Sequence, residues 1–178
     1  MSERRDYVPF APRSTPRGGC PAVVTPAAEA DVQEVAGLAV SVSTLDAQQW
    51  GERLRRDVAG PDRALLVARA EGVLAGFART GHVVPGPEDT SPEGDYLTGL
   101  VVAPSFRRRG VGEALVLAAC THVAGRSDVL WSTYDEDNLA SAHLHASLGF
   151  RVVWRGDVGF PNQPPGSQWV LVQRLLPQ

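Results

Sequence analysis

Lysine and isoleucine are both missing from these 178 residues, and all 17 basic side chains are arginine. The bias reflects a GC-rich genome more than folding physics, yet it closes two chemistries. Schiff-base catalysis lacks its amine, and a P-loop lacks the lysine that meets the phosphates. Cysteine is scarce too. Cys20 lies in a Pro/Gly-rich stretch and Cys120 in an apolar helical pattern, so both read as free thiols and not as a disulfide framework. There is no His-Glu-x-x-His and no cysteine pair, and His143 and His145 point apart on a helix, so no metal is expected. A Gly-x-Ser-x-Gly nucleophile elbow is also missing. No apolar run approaches the roughly 20 residues that span a bilayer. The first residues carry no apolar signal core, so the expectation is a cytoplasmic protein with no membrane partner. A net charge of −3 gives no basis for binding nucleic acid in bulk.

What is present is ordinary for a folded domain: 43% apolar and 21% charged residues, enough chain for one sizeable core. Residues 1–21 have no period and carry Pro, Arg, Ser and Gly throughout, which reads as a flexible tail, leaving 22–178 as one domain. Beyond it, apolar periodicity and turn residues predict the order β-α-α-β-β-β-α-β-α-β-β. Val32, Val35, Ala36 and Ala39 mark the first helix. Leu45, Trp50, Leu54 and Val58 make a loose stripe on the second. Glu71-Gly72 joins two strands as a tight hairpin. The loop at 85–95 holds four carboxylates, Glu88, Asp89, Glu93 and Asp95. A Pro-rich loop at 161–167 precedes the last strand. That order implies an α/β domain with one mixed sheet and helices on both faces.

Positive charge and bare backbone gather at one point. After the strand Leu100-Val101-Val102, Pro104 stops the pattern, and Arg107-Arg108-Arg109-Gly110-Val111-Gly112 leads into a helix. A helix N-terminus offers unpaired N–H groups and partial positive charge, and glycines admit a ligand to the backbone. The turn therefore suits a phosphate or pyrophosphate. It does not suit a Rossmann site, which needs three glycines. Downstream, in "NLASAHLHASLGF", Asn138, Ser141 and His145 recur at helical spacing on one face, while Ala140, Leu144 and Leu148 form a stripe expected to face the core.

Together, Arg107-x-x-Gly110-x-Gly112 and Asn138 to Phe150 resemble the paired motifs of the GCN5-related N-acetyltransferases, most specifically over residues 96–150. The resemblance implies a mostly antiparallel sheet whose two central strands are parallel and splay apart around acetyl-CoA, the co-substrate. Carried over, the backbone of Leu100, Val101 and Val102 pairs with the pantetheine arm, and the Val102 N–H polarises the thioester carbonyl. The pyrophosphate rests on Arg107, Arg108, Arg109, Gly110, Val111 and Gly112. Asn138, with Ser141 beside it, lies on the pantetheine side.

His145 occupies the place where most members have a tyrosine that protonates the departing thiolate, and is expected to be the general acid. Many members carry a glutamate base where this chain has Tyr96, so the base is left among Asp95, Glu93, a water held by them, and His82. Glu93 and Asp95 would also attract a cationic amine, and Trp50 would touch it. The implied activity is N-acetylation of a small-molecule amine, with an aminoglycoside antibiotic as the first substrate, hence a resistance role. The alternatives are acetylation of a peptide N-terminus and an acyl-CoA-binding module without turnover. A homodimer is left open.

Overall fold

The computed structural model describes residues 22–43, 45–87, 89–156 and 168–177. The expected tail with Cys20, Glu88, and the Pro-rich loop at 161–167 lie outside them. The elements follow the expected order. Strand β1 (Val23–Pro26) leads through a 3-10 turn at Glu29–Asp31 into helices α1 (Val32–Val40) and α2 (Ala47–Ala59). Strands β2 (Arg63–Ala70), β3 (Val73–Val83) and β4 (Gly94–Val102) come next. A 3-10 turn at Pro104–Phe106 then precedes α3 (Val111–Ala124), β5 (Val129–Asp135), α4 (Leu139–Ser147), β6 (Arg151–Gly156) and β7 (Trp169–Leu175). They build one seven-stranded sheet in the order β1-β2-β3-β4-β5-β7-β6. Every pairing is antiparallel except that of β4 with β5.

Local chemistry accounts for the elements. Asp46 accepts from the Gln49 N–H at 2.8 Å and Gln49 accepts from the Asp46 N–H at 3.1 Å, a reciprocal cap that starts α2 and contributes about 1 kcal/mol. Glu71 and Gly72 take φ of 52° and 80°, the left-handed pair that a two-residue hairpin requires between right-twisted strands. Strand β2 is buried along Ala64–Ala68 because helices cover both sheet faces. One core sets Val32, Val35, Ala36 and Ala39 of α1 and Leu54 of α2 against Leu65, Val67 and Phe77. The other sets Leu115, Val116, Ala119 and Val123 of α3 against Ala68, Ala78, Leu97 and Leu130. Among the described residues no helix is long and apolar enough to cross a membrane.

Helix α4 corrects the expected facing of its residues. Ala140 is exposed, while Leu144 and Leu148 pack on the α3-side core only in part. The deepest residue of the helix is His145, 3% exposed, between Tyr134 and Phe150. The helix lies against the splayed end of the sheet, so its inner face meets a polar cleft as well as the core.

Candidate active site

Strands β4 and β5 pair at two positions only, Tyr96 with Trp131 and Leu97 with Ser132. Beyond these, β4 runs on to Val102 and β5 to Asp135 without touching. Between them opens a cleft of about 380 Å³, lined by Tyr96 to Leu100 on one side, Ser132 to Asp135 on the other, and Asn138, Ser141 and His145 of α4. The Ala103 N–H donates to the Ala75 carbonyl on the β3 side. Backbone groups alternate along a strand, so those of Val102 and Leu100 face away from β3, into the opening, and those of Val101 face β3.

At the far end of β4 the three arginines do three different things. Arg107 Nε donates back to the Val102 carbonyl at 3.1 Å, bracing the turn on the strand. Arg108 is exposed and has φ of 63°. Arg109 lies against the Phe106 ring, and its Nε is buried with no hydrogen-bond partner among the described residues. Gly110, at φ 85°, swings the chain into α3 with open space around its Cα. That conformation strains any residue with a Cβ. No side chain among the described residues caps α3, so its first N–H groups stay available to an anion.

At the closed end of the cleft sits a hydrogen-bonded chain. His145 Nδ1 lies 2.8 Å from the Ser141 carbonyl oxygen, which can only accept, so Nδ1 carries the proton. Nε2 is then an acceptor in the neutral ring, and the Ser132 hydroxyl, 3.0 Å away, donates to it. Burial holds the imidazole pKa below its ordinary value, partly offset by the bond to Ser141. The unfolded chain therefore takes up this proton first. Stability from the neutral ring is present above about pH 6.5 and lost as pH falls through the folded value. We expect the melting temperature to drop between pH 7 and pH 5, and His145→Gln to flatten part of that drop. His122, lowered by its own burial and by Arg126, adds a fall of the same sign that the variant keeps, so the difference between the two proteins is the readout.

The sequence and the fold match known proteins. The profile of the Acetyltransferase (GNAT) family fits residues 28–150. The chain belongs to that family. Among curated GNAT relatives it is 33% identical over 128 residues to a mycothiol acetyltransferase of Salinispora arenicola, covering 68% of this chain and 38% of that one. It is 35% identical over 103 residues to an aminoglycoside N(6')-acetyltransferase type 1 of Klebsiella aerogenes, covering 57% and 68%. The chain thus spans about two-fifths of the length of the mycothiol relatives it matches. Solved structures share its fold, among them two bacterial acetyltransferases. An acetyltransferase of Salmonella typhimurium, solved with acetyl-CoA, gives a TM-score of 0.67 at 20% identity over 88% of this chain and 95% of that one. A ribosomal-protein-alanine N-acetyltransferase of Brucella melitensis gives 0.67 at 24% identity over 86% and 99%.

Within this GNAT fold the expected base and substrate contacts scatter. Asp95 does not line the cleft. It is 4% exposed on the α3 side and held at 2.9 Å by Arg126, with His82 at 3.8 Å. Glu93 is exposed beside His82 at 3.5 Å. Asp89 accepts from the Gly86 N–H and tightens the loop. Tyr96 does line the cleft, but its hydroxyl donates to the Pro92 carbonyl at 2.7 Å and burial pushes its pKa up, so it stands as a protonated wall. Trp50 packs on Phe77 and over Arg79 and donates to Ser43, outside the cleft. Asn138 caps α4 by accepting from the Ser141 N–H at 3.0 Å, and it also lines the cleft. No group of metal-binding side chains occurs among the described residues.

Sequence reasoning missed Ser132. Its signal was a break in burial pattern: Leu130, Ser132 and Tyr134 alternate onto the covered face of β5, and the middle one is a hydroxyl. A buried serine there needs a partner, and the nearest helix supplies an imidazole.

Proposed function

We propose that the protein transfers the acetyl group of acetyl-CoA to the primary amine of a small molecule. The observation that carries this reading is the cleft itself. It combines a parallel strand pair that closes at two positions and then opens, a Ser132–His145 pair at its base, and an uncapped glycine-led helix at its mouth. Acetyl-CoA fits these residues. The orphaned Arg109 Nε and the free α3 amides suit a pyrophosphate, with Arg108, Val111 and Gly112 beside them. The inward backbone of Leu100 and Val102 suits an extended amide-bearing arm, and Asn138 and Ser141 line its other side.

In this reading the pair at the base moves both protons. As the amine attacks the thioester carbon, its nitrogen gives a proton to Ser132 Oγ while the Ser132 hydrogen passes to His145 Nε2. When the carbon–sulfur bond breaks, the imidazolium returns that proton to Ser132, and Ser132 protonates the thiolate. The nitrogen has lost one proton and the sulfur has gained one. A neutral, buried imidazole is the right starting state, and burial keeps it neutral at pH 7. His145 thus acts through Ser132, and Asp95 and Glu93 are not needed as bases. The Leu100 N–H, the nearer of the two inward groups to Ser132 along β4, suits negative charge on the thioester oxygen.

An aminoglycoside acceptor draws support from the name of the Klebsiella relative. The acidic loop expected to attract such a polycation supports it little, since Asp95 is neutralised by Arg126 and Asp89 is spent on its own turn. The test of the wider reading is thiol release from acetyl-CoA with aminoglycosides, polyamines, amino acids and peptides, products being read by mass spectrometry. A gain of one acetyl group on a small amine is the expected result. Acetylation confined to peptides would favour a protein substrate. Tight acetyl-CoA binding with no acetylated product would reduce the chain to a binding module.

A further inference from the structure

Four arginines from three elements converge beside the cleft. Arg53 and Arg56 of α2, Arg63 of β2 and Arg79 of β3 line a hollow of about 220 Å³ with a single carboxylate, Asp57. Asp57 is 2% exposed and is occupied: it accepts from Arg79 Nε and lies 3.7 Å from Arg63. Arg53 and Arg56 have no carboxylate partner among the described residues, and Arg56 reaches only the Glu52 carbonyl at 3.4 Å. Arg55, on another side of α2, does have one, Glu29 at 2.8 Å. Among the described residues the hollow therefore keeps a surplus of guanidinium charge that no carboxylate compensates, on a chain whose overall charge is negative. Several guanidinium groups around one small space match the planar oxygens of a carboxylate or phosphate.

The hollow adjoins the cleft across Gly99. Gly99 and Thr98 line the cleft. The Arg79 Cδ is 3.5 Å from where a Gly99 Cβ would stand, and the Arg79 carbonyl accepts from the Thr98 hydroxyl at 3.4 Å. No side chain on Gly99 separates the two spaces. Trp50, with its ring centroid 5.4 Å from the Arg79 guanidinium carbon, and Asp57 hold that group in place.

The geometry points to an acceptor that carries an oxyanion as well as its amine, the amine in the cleft and the anion among Arg53, Arg56, Arg63 and Arg79. This rests on the transferase reading above and names its substrate class: an amino acid or a phosphate-bearing amine, in place of a polycation.

The test is calorimetric binding, which needs no turnover, on matched pairs: phenylalanine against phenylalaninamide, and O-phosphoethanolamine against ethanolamine, with kanamycin as the polycation. The expected result is that at least one anionic member binds tenfold or more tightly than its neutral partner. Arg53→Gln, a half-exposed helix position, should cut that preference severalfold and leave acetyl-CoA affinity unchanged. The favoured pair tells carboxylate from phosphate. Equal binding within both pairs, no binding by any of the four, or tighter binding of kanamycin would overturn the proposal. Acetyl-CoA titrated separately tests the transferase reading, so its failure is told apart from loss of the anion preference.

Discussion

Gly112→Glu should abolish measurable acetyl-CoA binding while leaving the protein folded. Gly112 is the second residue of α3, and a Cβ there would meet Leu144 at 3.4 Å and Val102 at 3.6 Å, ordinary contact distances. A carboxylate in the first turn of a helix is favoured by the helix dipole, so stability should hold or rise slightly. The same carboxylate repels a pyrophosphate. At about 4 Å and an effective dielectric near 20, two like charges cost about 4 kcal/mol, on the order of a hundred- to thousandfold in affinity. Stability and affinity thus move in opposite directions, which a general unfolding defect does not do. Gly110→Glu should lose binding as well, but it adds the strain of φ 85° and is the less clean variant. Calorimetry on folded Gly112→Glu decides the matter, and unchanged affinity would remove the pyrophosphate from this turn.

The second large effect belongs to the buried pair. Ser132→Ala and His145→Ala should each lower kcat by roughly 10- to 1000-fold, at or below the usual range for one proton-transfer group because the thiolate departs fairly well unaided. Acetyl-CoA affinity should change little, as expected of interactions made mainly in the transition state. Because both side chains serve one proton path, the double variant should be no slower than the worse single one. His145→Tyr separates two schemes. If a group on α4 meets the sulfur directly, tyrosine restores much of the rate and Ser132→Ala matters little. If the proton passes through Ser132, tyrosine fails to restore it, and the rate of the unaltered protein falls on the acid side as the imidazole is protonated. Full activity of Ser132→Ala would end the relay.

Much of the fold was legible because the signals were strong and local. Apolar spacing at Val32, Val35, Ala36 and Ala39, the Glu71-Gly72 turn and the glycines at 110 and 112 each specify geometry within a few residues. The family motifs added the splayed strands, which no periodicity reveals. The site was less legible because proximity across a sheet is not written along the chain. Asp95 and Tyr96 are neighbours in sequence, yet strand alternation sends one to Arg126 on the α3 side and the other to Trp131 on the opposite face. Ser132 and His145 are 13 residues apart and meet only because α4 folds back over β5. The arginine hollow draws on α2, β2 and β3, so no segment alone announced it. The stripe on α4 held for Leu144 and Leu148 but not for Ala140, which is exposed, because helical spacing shows which residues share a face, but not how far the neighbour covers that face.

The gap between β4 and β5 has a consequence for the lifetime of the protein as well as for its chemistry. Past Leu97, both strands are edges inside the sheet, with main-chain groups that have no strand partner across the opening among the described residues. An unpaired edge is a place where a sheet can come apart or recruit a foreign strand. Whatever fills this one binds the folded chain and not the unfolded one, so mass action makes the fold more stable as the occupant becomes more abundant, by about 2.7 kcal/mol at a hundred times its dissociation constant. If that occupant is acetyl-CoA, resistance to heat and to proteolysis will track its concentration, and starvation for acetyl groups will shorten the time each molecule survives.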